Sequence, residues 1–369
     1  MEITDVSVEK FRVEFEEASG ISRGRSSSTR PAALVVVETD TGLTGIGEGY
    51  GPNASIIETV IEEKYRPKLL GMDPRDIESI WAEMVTKNTY WDQKGPGISA
   101  ASGVDLALWD LLGKHHDEPV YRLLGGNAHG DRRPRAYASD LFWDDPDAMA
   151  ETAAGYVEEG FTAVKTHLGR GLEADRERVR AIQDAIGDAE LMVDMNCGYE
   201  PPEARRVGRM LAEEDVYWYE EPLSPYDVEG HAELREALSV PIATGENEYT
   251  KWGFLELFRE GAIDYAMPDA MRCGGITETQ KICALGEAFE TVVTPHSYTT
   301  GVGLAATIHL VLSSPACRWI EYDVTDYPLY ESLFVSPPEL DEECRIELPT
   351  EPGLGVEIPD RIKSEYGVE

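Results

Sequence analysis

The sequence predicts an α/β fold: a TIM-type barrel of parallel strands and helices, preceded by a smaller α+β unit and followed by a short tail. Three observations predict it. From Arg135 onward, apolar runs of strand length alternate eight times with helical stretches, the grammar of repeated βα units. Before that point strands come first and helices follow, as in an α+β unit. Several apolar runs also end in a carboxylate at regular intervals: Asp194 to Glu220 is 26 positions and Glu220 to Glu246 is 26 again, about one strand, one helix and their loops.

Taken in order, residues 2–17 alternate as a strand does, and Ala32 to Val37 forms a second strand candidate. Between them, Ala18 to Pro31 reads as a polar loop rich in Gly, Ser and Arg, either a lid over an anionic, hydroxylated substrate or a plain surface loop. Its cations are Arg23, Arg25 and Arg30. The run Gly45-Ile46-Gly47-Glu48-Gly49-Tyr50-Gly51 lacks the Gly-x-Gly-x-x-Gly spacing and follows a hairpin, which excludes a dinucleotide loop. Tyr50 within it is a candidate substrate contact. Helices are predicted at 54–70, 75–88 and 99–115, the last carrying Val104, Leu106, Leu108, Trp109, Leu111 and Leu112. Asn53-Ala54-Ser55 matches a glycosylation sequon but reads as a helix start.

The barrel strands are predicted at Arg135 to Ala138, Ala163 to Thr166, Leu191 to Asp194, Val216 to Glu220, Ile242 to Gly245, Tyr265 to Pro268, Val292 to Pro295 and Trp319 to Tyr322. Helical stretches such as Met149 to Glu159, Asp175 to Ile186 and Pro202 to Glu213 separate them. The chain thus divides at 1–125, 126–330 and 331–369. The last segment, rich in Pro and acids, is expected to return to the first domain.

Composition narrows the function. Thirty-three basic against 70 acidic residues give a net charge of −37, which repels nucleic acid and anionic membranes. Such an acidic coat suits a salt-rich cytoplasm, where screening relieves self-repulsion. A hydrophobic fraction of 42% excludes disorder. The N-terminus lacks a signal-peptide pattern and no apolar run reaches membrane-spanning length, so a soluble cytoplasmic protein is expected. The five cysteines form no Cys-x-x-Cys pair and read as reduced buried residues; Cys197 has no cationic activator beside it in sequence.

Barrel enzymes carry their chemistry at the C-terminal ends of strands, and an ionisable residue falls at seven of these ends in a row. Lys165 and His167 close the second strand, where period-2 alternation points both side chains inward. Asp194, Glu220 and Glu246 close the next three, Asp269 the sixth, His296 the seventh and Glu321 the eighth. Carboxylates collected in this way repel one another unless a hard cation lies between them, and oxygen donors favour Mg²⁺. The remaining histidines, His115, His116, His129, His231 and His309, read as structural.

Charge dictates the chemistry. A Mg²⁺ ion on a substrate carboxylate acidifies the α-proton and stabilises the enediolate. Bases then lie on both faces, Lys165 and His167 on one and His296, oriented by Asp269, on the other. Lys165 is expected to keep His167 neutral, and Glu321 to support the carboxylate in protonated form. Asn196 is expected to contact substrate or a metal-bound water.

Several motifs carry a family resemblance: Gly103-Val104-Asp105-Leu106-Ala107-Leu108-Trp109-Asp110, Val164-Lys165-Thr166-His167, Val193-Asp194-Met195-Asn196, Glu220-Glu221-Pro222, Gly245-Glu246-Asn247, Met267-Pro268-Asp269-Ala270-Met271 and His296. On these the chain resembles the mandelate racemase subgroup of the enolase superfamily over essentially its whole length. The resemblance implies an α+β capping domain, completed by the tail, over a modified (β/α)7β barrel. It also implies Mg²⁺ on Asp194, Glu220 and Glu246, a His296/Asp269 dyad, Glu321 beside the substrate carboxylate, and a homo-octamer. One departure stands out: where the subgroup often has Lys-x-Lys, this chain has Lys165-x-His167, which opens two roles for His167, base or substrate contact. The expected reaction is dehydration of a sugar acid, an aldonate such as gluconate or xylonate or else an aldarate held by Arg23, Arg25 or Arg30. The alternative is racemisation or epimerisation through the same enediolate.

Overall fold

A computed structural model describes residues 1–20 and 26–368, the side chains of 16–20 excepted. The chain opens with three antiparallel strands, β1 (Ile3–Gly20), β2 (Ser26–Thr39) and β3 (Thr44–Glu48). Much of the segment expected as a loop is therefore strand. Ser19 pairs with Ser27 and Gly20 with Ser26 beyond a register shift, so ladder hydrogen bonds satisfy a polar backbone that composition assigned to a lid.

The apolar run of β2 is continuous because both faces of this sheet are covered. Ala33, Val35 and Val37 pack with Val6 against the first helices, whereas Ala32 and Leu34 join Phe11 in the core shared with the barrel. Those helices are α1 (Ala54–Val60), which runs through a π-helical segment at Ile61–Tyr65 into α2 (Arg66–Leu69), then α3 (Ile77–Met84), α4 (Pro96–His116) and the short α5 (Val120–Leu123). The glycines of β3 allow α4 to lie against it. A Cβ at Gly45 would come within 2.0 Å of the Ala107 carbonyl oxygen, and one at Gly47 within 2.1 Å of that of Gly103. This close approach accounts for the glycine-rich run.

Eight parallel strands follow: β4 (Arg135–Leu141), β5 (Ala163–His167), β6 (Glu190–Asp194), β7 (Trp218–Glu220), β8 (Ile242–Thr244), β9 (Tyr265–Ala266), β10 (Val292–Val293) and β11 (Trp319–Asp323). Their order runs from β10 down to β4 and then β11, and a parallel bridge between Val293 and Cys317 draws the two edges together. The intervening helices are α6 (Pro146–Glu158), α7 (Leu172–Ile186), α8 (Pro201–Glu213), α9 (Val228–Ala237), α10 (Thr250–Arg259), α11 (Gly275–Ala288) and α12 (Gly301–Ser313). Tyr137, Ala163, Met192, Trp218, Ala243, Met267 and Trp319 form one apolar cluster. Five of them stand two residues before Lys165, Asp194, Glu220, Asp269 and Glu321, so the period-2 alternation that fills this cluster also turns those ionisable groups inward at the barrel's C-terminal end.

The first unit docks on the barrel through buried polar contacts. The Thr277 amide at the start of α11 donates to Asp105 of α4 (3.0 Å), and Trp109 Nε1 donates to Thr277 Oγ1 (2.9 Å). Glu48 at the end of β3 accepts from the Thr300 hydroxyl (2.7 Å) and from the Gly303 amide (3.1 Å), capping α12. The tail ends in α13 (Asp360–Tyr366), and the Val368 amide donates to the Lys10 carbonyl of β1 (3.0 Å). Among the described residues no helix is long and apolar enough to cross a membrane.

Candidate active site

The strand ends converge on a cavity of about 310 Å³, lined by Lys165, His167, Asp194, Asn196, Glu246, His296 and Glu321 from the barrel and by Ser26, Ser27 and Tyr50 from the first unit. Strand register sets the level of the barrel groups. His167 pairs with Asp194, and Asp194 pairs with Glu220, so three consecutive strands present these side chains side by side. Glu246 follows two residues beyond β8. The carboxylate oxygens of Asp194, Glu220 and Glu246 lie within 4.8 Å of one another, an all-oxygen donor set that fits a hard divalent cation.

The charges around this triad are tightly coupled. Burial pushes the Glu220 carboxyl up to about 8; Lys165 opposes this, while Asp194, Glu321 and Glu246 add to it. Lys165 Nζ lies 2.5 Å from Glu321 and 3.3 Å from Glu220, and these acids hold it well above the ordinary lysine value despite its burial. The ion pair therefore favours the ammonium more than it favours Glu220, because one cation does not offset the burial and three acid neighbours of that carboxylate.

Two expectations about charge are corrected. Burial works against ionisation of Glu321, but Lys165 and His296 bring its carboxyl down to about 2, helped by the Ser297 amide at 2.8 Å. It is a carboxylate, and it also accepts from the Ser139 hydroxyl (2.8 Å). His167 is the second. Burial disfavours its charge, yet Asp140 at 3.4 Å from Nε2 and Asp194 at 3.4 Å from Nδ1 raise it to about 10. Lys165 does not keep it neutral, because the ammonium is spent on Glu220 and Glu321 while carboxylates from two neighbouring strands flank the imidazole. Its Nδ1 also meets Asn196 Oδ1 at 2.9 Å, and its ring stacks on Phe142.

On the far side of the barrel, His296 Nδ1 lies 2.9 Å from Asp269 Oδ2 and its Nε2 lies 3.2 Å from Glu246. Burial opposes its charge, but Glu246, Glu321 and Asp269 raise it well above the histidine norm. Asn196, at a left-handed φ of 42°, donates to Asp194 from both its backbone amide (2.7 Å) and its side chain (2.6 Å). Burial, followed by Glu221, pushes the Cys197 thiol up, so this sulfur is not an activated nucleophile.

Family comparisons agree with this geometry. Residues 7–125 match the mandelate racemase / muconate lactonizing enzyme N-terminal domain, and residues 148–362 match the enolase C-terminal domain-like family. The chain belongs to the enolase superfamily. Within it, the chain is 34% identical to the D-galactarolactone cycloisomerase of Agrobacterium fabrum, with 91% of each chain covered, and 34% identical to the arabinonate dehydratase of Saccharolobus solfataricus, with 89% of each covered. Other relatives, at 28–34% identity, include dehydratases of xylonate, rhamnonate and gluconate and a hydrophobic dipeptide epimerase. Among solved enolase-superfamily structures, a racemase from Streptomyces coelicolor with bound magnesium superposes with a TM-score of 0.91 at 30% identity, covering 99% of this chain and 100% of that one.

Several groups around this enolase-superfamily site escape a reading of the sequence alone. Asp140, Phe142 and Tyr298 line the cavity. Asp140 stands 25 positions before Lys165, so extending the spacing backward by one unit would have found it. Asn247 donates to Glu221 (2.7 Å) and to the metal-ligand candidate Glu246 (3.2 Å), and accepts from Arg272 (2.5 Å), whose guanidinium lies 4.4 Å from the centre of the Tyr50 ring. This chain of contacts ties a cavity-lining residue of the first unit to the acidic triad. Of the three loop arginines, Arg23 and Arg25 lie outside the described residues. Arg30 is not among the residues that line this cavity. It is buried in β2, 2.5 Å from Asp323, donates to the Thr299 carbonyl and sits between the rings of Tyr298 and Tyr327.

Proposed function

We propose that this enolase-superfamily member is a Mg²⁺-dependent sugar-acid dehydratase, which removes the proton α to a carboxylate and expels a β-hydroxyl as water to give a 2-keto-3-deoxy acid. One observation carries the reading. Lys165 and His167 on β5 and the His296/Asp269 pair beyond β10 and β9 approach one cavity from across the barrel, with the acidic triad on the strands between them. Asp194, Glu220 and Glu246 would hold the ion, which supplies positive charge to the substrate carboxylate and so acidifies the α-proton.

The remaining roles fall to side chains. Lys165 is the base on its face, acting as the neutral amine once a cation held by Asp194, Glu220 and Glu246 would offset the carboxylates that otherwise keep it an ammonium: two of its three nitrogen positions meet Glu220 and Glu321, leaving one for a lone pair toward substrate. His167, whose Nδ1 meets Asn196 while its buried Nε2 has no hydrogen-bond partner among the described residues, serves as a substrate contact, the second of the two roles its sequence position left open. His296, with Asp269 behind it, carries the proton that leaves with the β-hydroxyl. The homo-oligomer implied by the resemblance belongs to the same proposal.

The cycloisomerase names among the relatives favour a second reading, in which a tethered ring oxygen leaves in place of hydroxyl. Incubation with a panel of aldonic, aldaric and lactone substrates separates the two. Dehydration yields a keto acid lighter by one water. Cycloisomerisation yields an isomer of unchanged mass. Solvent-deuterium incorporation at the α-carbon without either change marks epimerisation.

A further inference from the structure

Asp140 closes the first barrel strand with a backbone φ of 76°, a left-handed conformation uncommon outside glycine. Its side chain is buried, with the residue 5% exposed, and lines the reaction cavity. Oδ1 lies 3.4 Å from His167 Nε2, while Oδ2 has no hydrogen-bond partner among the described residues. A buried carboxylate oxygen without a donor is costly, so such a group in a cavity wall awaits a donor from the ligand.

Its location says which part of the ligand. His167 turns Nδ1 toward Asp194 of the triad and Nε2 toward Asp140, so an imidazole ring separates the two acids. A substrate whose carboxylate sits at the triad therefore reaches Asp140 with a more distant carbon. Among the described cavity-lining residues, no cation lies there without a carboxylate already beside it. Lys165, His167 and His296 each already face carboxylates, and nearby Arg30 is committed to Asp323.

We propose that Asp140 is a specificity-determining residue, which accepts a hydrogen bond from a substrate hydroxyl remote from the reacting carboxylate and selects monocarboxylic polyhydroxy acids over their dicarboxylic counterparts. A hydroxyl satisfies Oδ2. A second carboxylate meets like charge in a buried setting. The inference rests on the dehydratase reading for its substrate class, but it has its own readout.

The test compares an aldonate with the aldarate of the same configuration on wild type, Asp140→Asn and Asp140→Gly, each with Mg²⁺, by calorimetric binding and by turnover. Asn tolerates the left-handed backbone and Gly prefers it, so one variant guards against misfolding of the other. Wild type is expected to favour the aldonate. Both variants should lower aldonate binding and kcat/KM roughly tenfold to a hundredfold and bring the two acids toward parity, with Mg²⁺ affinity unchanged. An aldonate-to-aldarate ratio unaltered by either variant, or a wild type that prefers the aldarate, overturns the assignment. Binding discrimination with no keto acid formed supports Asp140 and sinks the dehydratase reading instead.

Discussion

Asp269 and His296 are joined twice, by a parallel backbone bridge beyond the ends of β9 and β10 and by the 2.9 Å contact between Oδ2 and Nδ1. The backbone fixes the separation that the side chains use, and Asp269 is anchored further by the Met271 amide at 2.8 Å. Asp269→Asn should therefore keep the fold and lower kcat roughly 10²–10⁴-fold, because the imidazole loses the partner that sets its tautomer. His296→Asn should stop loss of water while α-proton exchange continues through Lys165, followed by deuterium uptake. Unchanged turnover in either variant removes the pair from the mechanism.

Metal dependence is read at Glu220, which also accepts from Trp218 Nε1 at 3.1 Å. Glu220→Gln should weaken Mg²⁺ binding at least about tenfold in calorimetry, with the circular dichroism spectrum retained. Chelation of wild type should abolish activity, and added Mg²⁺ should restore it. Full activity in chelator contradicts the ligand assignment.

The Arg30–Asp323 pair tests how the first unit is held on the barrel. Arg30→Met leaves Asp323 buried without its guanidinium, and loss of one partner from such a pair costs about 3–5 kcal/mol. Urea unfolding should show that loss, and Arg30→Met/Asp323→Asn should recover part of it. A single variant within about 0.5 kcal/mol of wild type would place the pair among neutral contacts.

His309 supplies a pH dependence remote from the acidic site. Its Nδ1 accepts the Tyr121 amide at 3.0 Å, and burial pushes its pKa from 6.5 to about 4. Between these values the unfolded chain takes up a proton that the folded chain refuses. Stability is thus present in full above pH 6.5 and is lost as pH falls toward 4, by about 3 kcal/mol from this group. Unfolding of His309→Asn across that range should lack this part of the slope. Parallel curves for variant and wild type would contradict the assignment.

The barrel was legible because its grammar is local: each apolar run with its following helix fits one βα unit, and ionisable ends recur at that period. Asp140 was missed for a local reason too. The predicted strand stops at Ala138, whereas β4 runs to Leu141 through a register shift between Ala138 and Leu141, and the left-handed Asp140 breaks the alternation that marks a strand. Arg30 was misplaced because its partner Asp323 lies 293 positions away, beyond the reach of composition. The charge of His167 was misread for a similar reason. Lys165 is its neighbour in sequence, but Asp140 and Asp194, on flanking strands, are its neighbours in space.

The most direct test of α-proton abstraction at this site is an NMR time course in D2O of the wild-type enzyme with Mg²⁺ and the aldonate and aldarate panel. The account predicts Mg²⁺-dependent loss of the α-proton, appearance of a 2-keto-3-deoxy acid, and loss of both signals in Glu220→Gln. Neither exchange nor keto acid with any acid of the panel, at saturating Mg²⁺, would contradict it.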